Sequence, residues 1–341
     1  MRKILVVGPS WVGDMVMAQS LFKVLRATDD CLIDVLAPAW SLPVLARMPE
    51  VNRGWTMPLG HGELGFGKRW ALGRELGREA YAQAIILPGS LKSALVPFFA
   101  RIPQRTAYRG EMRYLLVNDM HRLDRAALPM TVQRFIALGL PRGALQPSPF
   151  PLPRLVADAE NQRALSARFG FDVARPPIAF MPGAEYGPAK QWPPAHYATL
   201  ARALVDRGFQ IWVLGSDKDS AAARVIAEAQ STDSAQSTNV FDLSGRTTLG
   251  DAIDLLAMAR AAVTNDSGLM HVAAALEVPL VAIFGSSSPE HTPPLATRVA
   301  IESLRLACAP CFKRHCPLGH TRCLTDIDPE RVLAALDGLG L

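Results

Sequence analysis

The chain has 341 residues, 49% hydrophobic and 20% charged, with a net charge of +5; this suits two folded domains and excludes a disordered, low-complexity protein. No apolar run approaches the roughly 18 residues of a membrane-spanning helix, and Arg2-Lys3 before a short run broken at Gly8-Pro9 reads as a first strand rather than an export signal. The charge is lopsided: residues 1–155 hold 20 Lys and Arg against 11 Asp and Glu, and residues 156–341 hold 16 against 20, so the first half calls for an anionic partner.

In chain order, a strand over 3–8 leads through PSWVGD into a helix over 15–26. Gly13 is expected to make the bend, and Asp14 stands at the helix start, where a carboxylate either caps the helix or is a reactive group held over the strand ends. Strands over 32–37 and 84–87 and short helices over 41–48 and 92–99 follow, an alternation that implies a parallel sheet. Between them GHGELG, 60–65, matches G-x-G-x-x-G; with no buried strand entering it and no periodic helix starting in it, it reads as a flexible loop. Arg101, Arg105, Arg109, Arg113, Arg122 and Arg125 are spaced singly, which suits a pocket or surface and not a nucleic-acid tail, so no nucleic acid is expected as partner. The segment 146–153, QPSPFPLP, reads as a linker, because proline continues neither a helix nor a central strand.

Beyond the linker a helix over 155–169 precedes a second alternation: strands 178–181, 210–214, 240–243 and 261–264, and helices 195–206, 219–229 and 249–260. The expectation is an α/β protein with two doubly wound parallel sheets facing across a cleft: a first domain over 1–155, a second over 156–325, and a terminal helix within 326–341 packing back toward the first.

The sharpest local signal is TNDSGLMHVAAAL, 264–276, between apolar runs. It reads as strand, turn, helix and strand, with the helix starting near Ser267 or Gly268 and its first N–H groups free to take an anion. Ser267 and His271, four apart, face the same side. Lys190, in the Gly-containing loop after 178–181, is a natural phosphate partner. Asp217-Lys218-Asp219 resembles a D-x-D metal motif, but its place after the second strand favours a ribose contact or a helix cap. Cys308, Cys311, Cys316 and Cys323, with His315 and His320 among them, have a spacing compatible with a structural zinc, although it is looser than a repeated C-x2-C pair. Cys31 stands alone.

Four separated motifs, GPSWVGDM (8–15), PGAEYGPAKQWP (182–193), NDSGLMHVAAA (265–275) and FGSSSP (284–289), together resemble the ADP-heptose:lipopolysaccharide heptosyltransferases of glycosyltransferase family 9. The similarity runs from residue 1 to about 300, and the cysteine-rich tail departs from it. The resemblance implies the GT-B arrangement of two Rossmann-like domains, with acceptor on the first and nucleotide sugar on the second. It also implies inverting transfer of L-glycero-D-manno-heptose from ADP-heptose to the first heptose of heptosyl-Kdo2-lipid A, by a monomer at the cytoplasmic face of the inner membrane. Asp14 matches the catalytic base, with Lys190 holding the diphosphate. Asp266, Ser267, Gly268, Leu269 and His271 are donor-site residues, with Glu185, Tyr186 and Asp217 as further donor contacts. Ser10, Trp11, Arg109 and Arg113 fall on the acceptor side. If Asp14 is not the base, His61, Glu111 and Asp119 come next. No metal or other cofactor is implied. Alternatives are a family member acting on Kdo or a later core sugar, a serine hydrolase built on Ser267 and His271, and a non-catalytic nucleotide-binding module.

Overall fold

The computed structural model describes residues 1–60, 62–172, 174–228 and 239–341. Its first unit, Met1–Val156, is built on strands β1 (Arg2–Val7), β2 (Cys31–Pro38), β3 (Val51–Met57), β4 (Gln83–Ile86), β5 (Gln104–Tyr108) and β6 (Asp119–His121), in the order β3-β2-β1-β4-β5-β6. Its second unit, Ala157–Leu341, contains β7 (Pro177–Met181), β8 (Gln210–Val213), β9 (Val240–Asp242), β10 (Ala261–Asn265), β11 (Leu280–Phe284) and β12 (Val299–Ser303), in the order β12-β11-β10-β7-β8-β9. Every pairing is parallel. Numbered within its own unit, each sheet reads 3-2-1-4-5-6, the doubly wound order whose ligand crevice opens between strands 1 and 4.

Strand β11 is apolar along its whole length, and β1 is apolar from Ile4 to Val7, because helices cover both faces of a parallel sheet. Leu5, Val7, Leu36 and Ile86 lie in the core of the first unit, and Ile178, Phe180, Val263 and Ile283 in that of the second. Each such side chain contributes about 1.5–3 kcal/mol through burial. The described residues contain no helix long and apolar enough to cross a membrane.

Several expectations need correction. The first long helix is Val12–Thr28, so Gly13 and Asp14 lie inside its first turn. The close approach is made at Gly8, where an added Cβ would stand 2.5 Å from Met15 Cε. The 60–65 glycine loop follows a strand, β3, in which only Trp55 is buried, so no buried strand enters it, but a helix, Phe66–Leu76, does start at its end, with Gly65 as N-cap in a left-handed conformation. Its His61 lies outside the described residues, as does position 229 at the end of the expected 219–229 helix. The last helix, Pro329–Gly338, belongs to the second unit, where Val332 and Leu336 join the core that includes Ile327 and Ile283.

Candidate functional site

In the second unit the loop after β7 and the turn after β10 lie at the point where strand order reverses, and they are locked together. Asn265, fully buried, accepts from Trp192 N–H at 3.0 Å and from Tyr197 Oη at 3.3 Å, and donates to Pro182 O at 2.5 Å. This latch holds the 182–192 loop against the end of β10 and brings Lys190 Nζ to 2.5 Å from Asp266 Oδ2. Ser287 Oγ also donates to that carboxylate oxygen. Asp266 is 6% exposed and the Lys190 side chain 17%. An ammonium has three donors, and Asp266 orients the group through one of them.

The next helix, Gly268–Ala275, starts at N-cap Ser267, which makes no side-chain capping bond. Ser267, Gly268 and Leu269 are half-exposed at the mouth of an otherwise buried strand-turn-helix unit, so the helix start presents its backbone N–H groups where an anion can take them. His271 is buried, and burial pushes it down to about 4; Lys190 pushes the same way and Asp266 opposes. It is therefore a neutral imidazole at neutral pH.

Tyr186 joins this group: Lys190 Nζ lies 5.0 Å and the Arg314 guanidinium 5.3 Å from its ring centre, and its hydroxyl donates to Phe312 O at 2.7 Å. Gly187, at φ +152°, has no room for a side chain, since a Cβ would stand 2.6 Å from Arg314 O. Asn265 and Ser287 lie inside the sequence motifs and Arg314 outside them; the roles of all three come from contacts between segments far apart in the chain. Glu185 is exposed and paired with Lys218 at 2.6 Å. Asp217 is exposed on the loop after β8, while Asp219 accepts from Ser216 N–H and Oγ as a cap.

The four tail cysteines are free thiols and, with His320, Ala189 and Ser286, line one pocket. Backbone N–H groups, that of Thr321 first, lower the Cys316 thiol, whereas burial raises Cys323. Among the described residues, no group of three or more His, Cys, Asp or Glu side chains is arranged to hold a metal ion.

In the first unit Asp14 follows β1, at the corresponding switch point, and is half-buried in the first helical turn. Capping there falls to Trp11, whose side chain makes no capping bond. Ser10 and Trp11 are exposed, and the exposed Trp40 donates its indole N–H to Ser10 O at 3.1 Å. Arg109 is exposed on the loop after β5, with Tyr114 Oη 3.1 Å from its Nε. Arg113 is a different case. It is 1% exposed and donates to Pro88 O, Ser90 O, Ser93 Oγ and Tyr108 O; the structure makes it an internal anchor and removes it from the acceptor-contact set. Of the reserve bases, Glu111 accepts from Leu91 N–H. Asp119 is raised by burial, but the bonds from Thr106, Arg142 and Gln104 prevail and hold it below the usual carboxylate range.

A family model described as glycosyltransferase family 9 (heptosyltransferase) matches residues 69–322. The chain belongs to this family. This glycosyltransferase is 48% identical over 343 residues to lipopolysaccharide heptosyltransferase 2 of Escherichia coli strain K12, covering 99% of this chain and 98% of that one. It is 43% identical over 347 residues to lipooligosaccharide heptosyltransferase 2 of Haemophilus influenzae, covering 98% and 99%. The solved E. coli ADP-heptose LPS heptosyltransferase II superposes with a TM-score of 0.89 at 46% identity, covering 99% of this chain and 98% of that chain. Its two doubly wound sheets are those of a GT-B enzyme.

Proposed function

We propose that this heptosyltransferase moves L-glycero-D-manno-heptose from ADP-heptose onto the first heptose of the lipopolysaccharide inner core. The observation that carries the reading is the pairing of Lys190 with Asp266 beside the half-exposed start of the Gly268–Ala275 helix, at the switch point of a family 9 fold. A lysine and a helix N-terminus are what a departing diphosphate requires: positive groups fixed where negative charge develops, with no reorganisation at the moment of reaction.

In this reading the second unit holds the donor. Lys190 and the N–H groups of Ser267, Gly268 and Leu269 take the diphosphate, Asp266 positions the ammonium, and His271 supports the turn as a neutral ring. Glu185, Tyr186 and Asp217 are further donor contacts. The first unit holds the acceptor, with Ser10, Trp11 and the cation Arg109 recognising the phosphorylated, carboxylate-bearing core. Asp14 accepts the proton of the acceptor hydroxyl while its oxygen attacks the anomeric carbon from the face opposite ADP. The bond to ADP breaks, the configuration inverts, and ADP leaves carrying the electron pair. No metal has a step in this scheme. Chelator treatment is expected to leave activity intact; loss restored by magnesium or manganese would assign a role to Asp217-Lys218-Asp219, and loss restored by zinc would point to the tail cysteines. The enzyme is placed at the cytoplasmic face of the inner membrane, where its acceptor is anchored, and acts as a monomer.

Mass spectrometry of products from ADP-heptose and acceptors bearing none, one or two heptoses tests the assignment. Transfer to the one-heptose acceptor is expected. Reaction confined to the heptose-free acceptor, or to the two-heptose acceptor, would move the enzyme to a different step of core assembly.

A further inference from the structure

The first unit carries an exposed apolar strip that the donor and acceptor chemistry above does not use. Met112 is 82% and Leu115 88% exposed, although both sit in a loop that is firmly held. Arg113 between them is buried on four oxygens, Glu111 N–H donates to Gly89 O, and Leu116 and Val117 N–H donate to Arg113 O. A pinned loop that still points its apolar side chains at solvent is not a flexible segment; displayed surface of this kind marks an interaction site.

The strip continues. Arg105 ties Leu116 O to the ring of Phe98, bonding the carbonyl at 2.7 Å and lying 5.7 Å from the ring centre. Phe98 meets Phe99 at 5.8 Å and Phe99 meets Phe66 at 5.1 Å. Phe66 and Trp70, four apart on the Phe66–Leu76 helix, are both exposed on one face. Lys68, Arg74 and Arg101, all exposed, lie on the same segments with Glu63, Glu75 and Glu111, in the half of the chain where 20 Lys and Arg stand against 11 Asp and Glu.

We infer that this strip, running from Phe66 and Trp70 through Phe98 to Met112 and Leu115, docks the enzyme onto an anionic lipid bilayer. Apolar side chains enter the headgroup boundary while the surrounding arginines and lysines meet lipid phosphates, the combination by which surface-bound proteins hold a membrane without spanning it. The inference rests on the reading that the acceptor is lipid-anchored, and it concerns the protein's own hold on the bilayer.

The test is co-sedimentation of the full chain with vesicles of phosphatidylethanolamine and phosphatidylglycerol, or of phosphatidylcholine alone, at low and physiological salt. Binding is expected on the anionic vesicles, weakening with salt. Met112→Asp with Leu115→Asp is expected to lower partitioning about tenfold or more, whereas Leu145→Asp, at an exposed leucine off the strip, leaves it unchanged. A double variant that partitions like wild type, equal binding to phosphatidylcholine, or a dimer that the substitutions dissociate without changing vesicle binding would each overturn the inference. A deacylated heptosyl-Kdo oligosaccharide separates the two claims: the double variant should process it at the wild-type rate. Failure of the wild type on that soluble acceptor would count against the proposed reaction, while the vesicle result judges the strip.

Discussion

At the switch point of the second unit the candidate groups form a buried network, whereas at the same point of the first unit they stand at a half-open helix start. Lys190 and Ser287 both bond Asp266, the adjacent Asn265 bonds Trp192 N–H, and most of these residues are nearly inaccessible. Asp14 is half-buried, with Ser10, Trp11 and Trp40 exposed beside its helix. One strand order therefore supports two kinds of site. Under the proposed function, the second unit would hold charges fixed in low dielectric, where they act strongly on a diphosphate, and the first would offer a half-buried carboxylate to a bulky, lipid-linked sugar.

The largest expected effect falls on the exposed side. Asp14→Asn keeps the shape of a first-turn side chain but cannot accept a proton, so turnover should fall by about two to four orders of magnitude while ADP-heptose still binds. Thermal stability should move by no more than about 1 kcal/mol, the range of a first-turn carboxylate's interaction with the helix dipole. Measured together, turnover, melting temperature and donor affinity discriminate: near-normal turnover would remove Asp14 as base.

On the buried side, Lys190→Ala should lower turnover by about 100-fold, the usual cost of losing a charged contact to a developing anion. Here the network predicts a second effect, because Asp266 stays nearly buried, loses the ammonium and keeps the Ser287 hydroxyl, so stability should drop as well. Adding Asp266→Asn should restore most of the stability and none of the rate. A double variant that recovers activity would show that the lysine acts on Asp266 and not on the donor.

How much of this contrast is legible in the sequence follows from burial. The central strands of the second unit announce themselves as apolar runs, and β7, β8, β10 and β11 fall where expected. The strands passed over are β3, β5, β6 and β12, three of them at sheet edges, where one flank is open and polar residues such as Asn52 and Arg53 are tolerated. Residue chemistry points to Lys190 and His271 and the family resemblance adds Asp266, but neither the Lys190–Asp266 bond nor the Asn265 latch is a local property. Each joins segments more than 70 positions apart. The burial of Arg113 is hidden for the same reason, since nothing local distinguishes a buried arginine from its exposed neighbour Arg109.

A pH series sharpens the comparison further, because His271 belongs to the buried network alone. Its folded value of about 4 lies below the ordinary 6.5. Between those limits the unfolded chain binds a proton that the folded chain refuses, so this stability is complete above about pH 6.5 and lost as pH falls toward 4, to a maximum of roughly 3 kcal/mol. Denaturant melts at pH 7 and 4.5 should show His271→Gln losing less stability than wild type over the interval. Equal losses would mean that the imidazole titrates freely and the site is open to water.

The smallest effect contrasts the two arginines of the first unit. Arg113→Ala removes a buried guanidinium from four oxygen partners and should cost about 1–3 kcal/mol of stability, leaving acceptor kinetics to follow whatever folded fraction remains. Arg109→Ala removes an exposed cation bonded to Tyr114; it should leave the melting temperature in place and raise the acceptor KM by about 3- to 10-fold, with kcat unchanged and the difference shrinking as salt rises. The salt dependence decides the matter, because an anchor works through packing and short internal bonds that salt scarcely touches, whereas a surface cation meeting a phosphorylated sugar is screened. A KM that does not respond to Arg109→Ala at low salt would place the recognition of acceptor phosphate on other cations of the basic first unit.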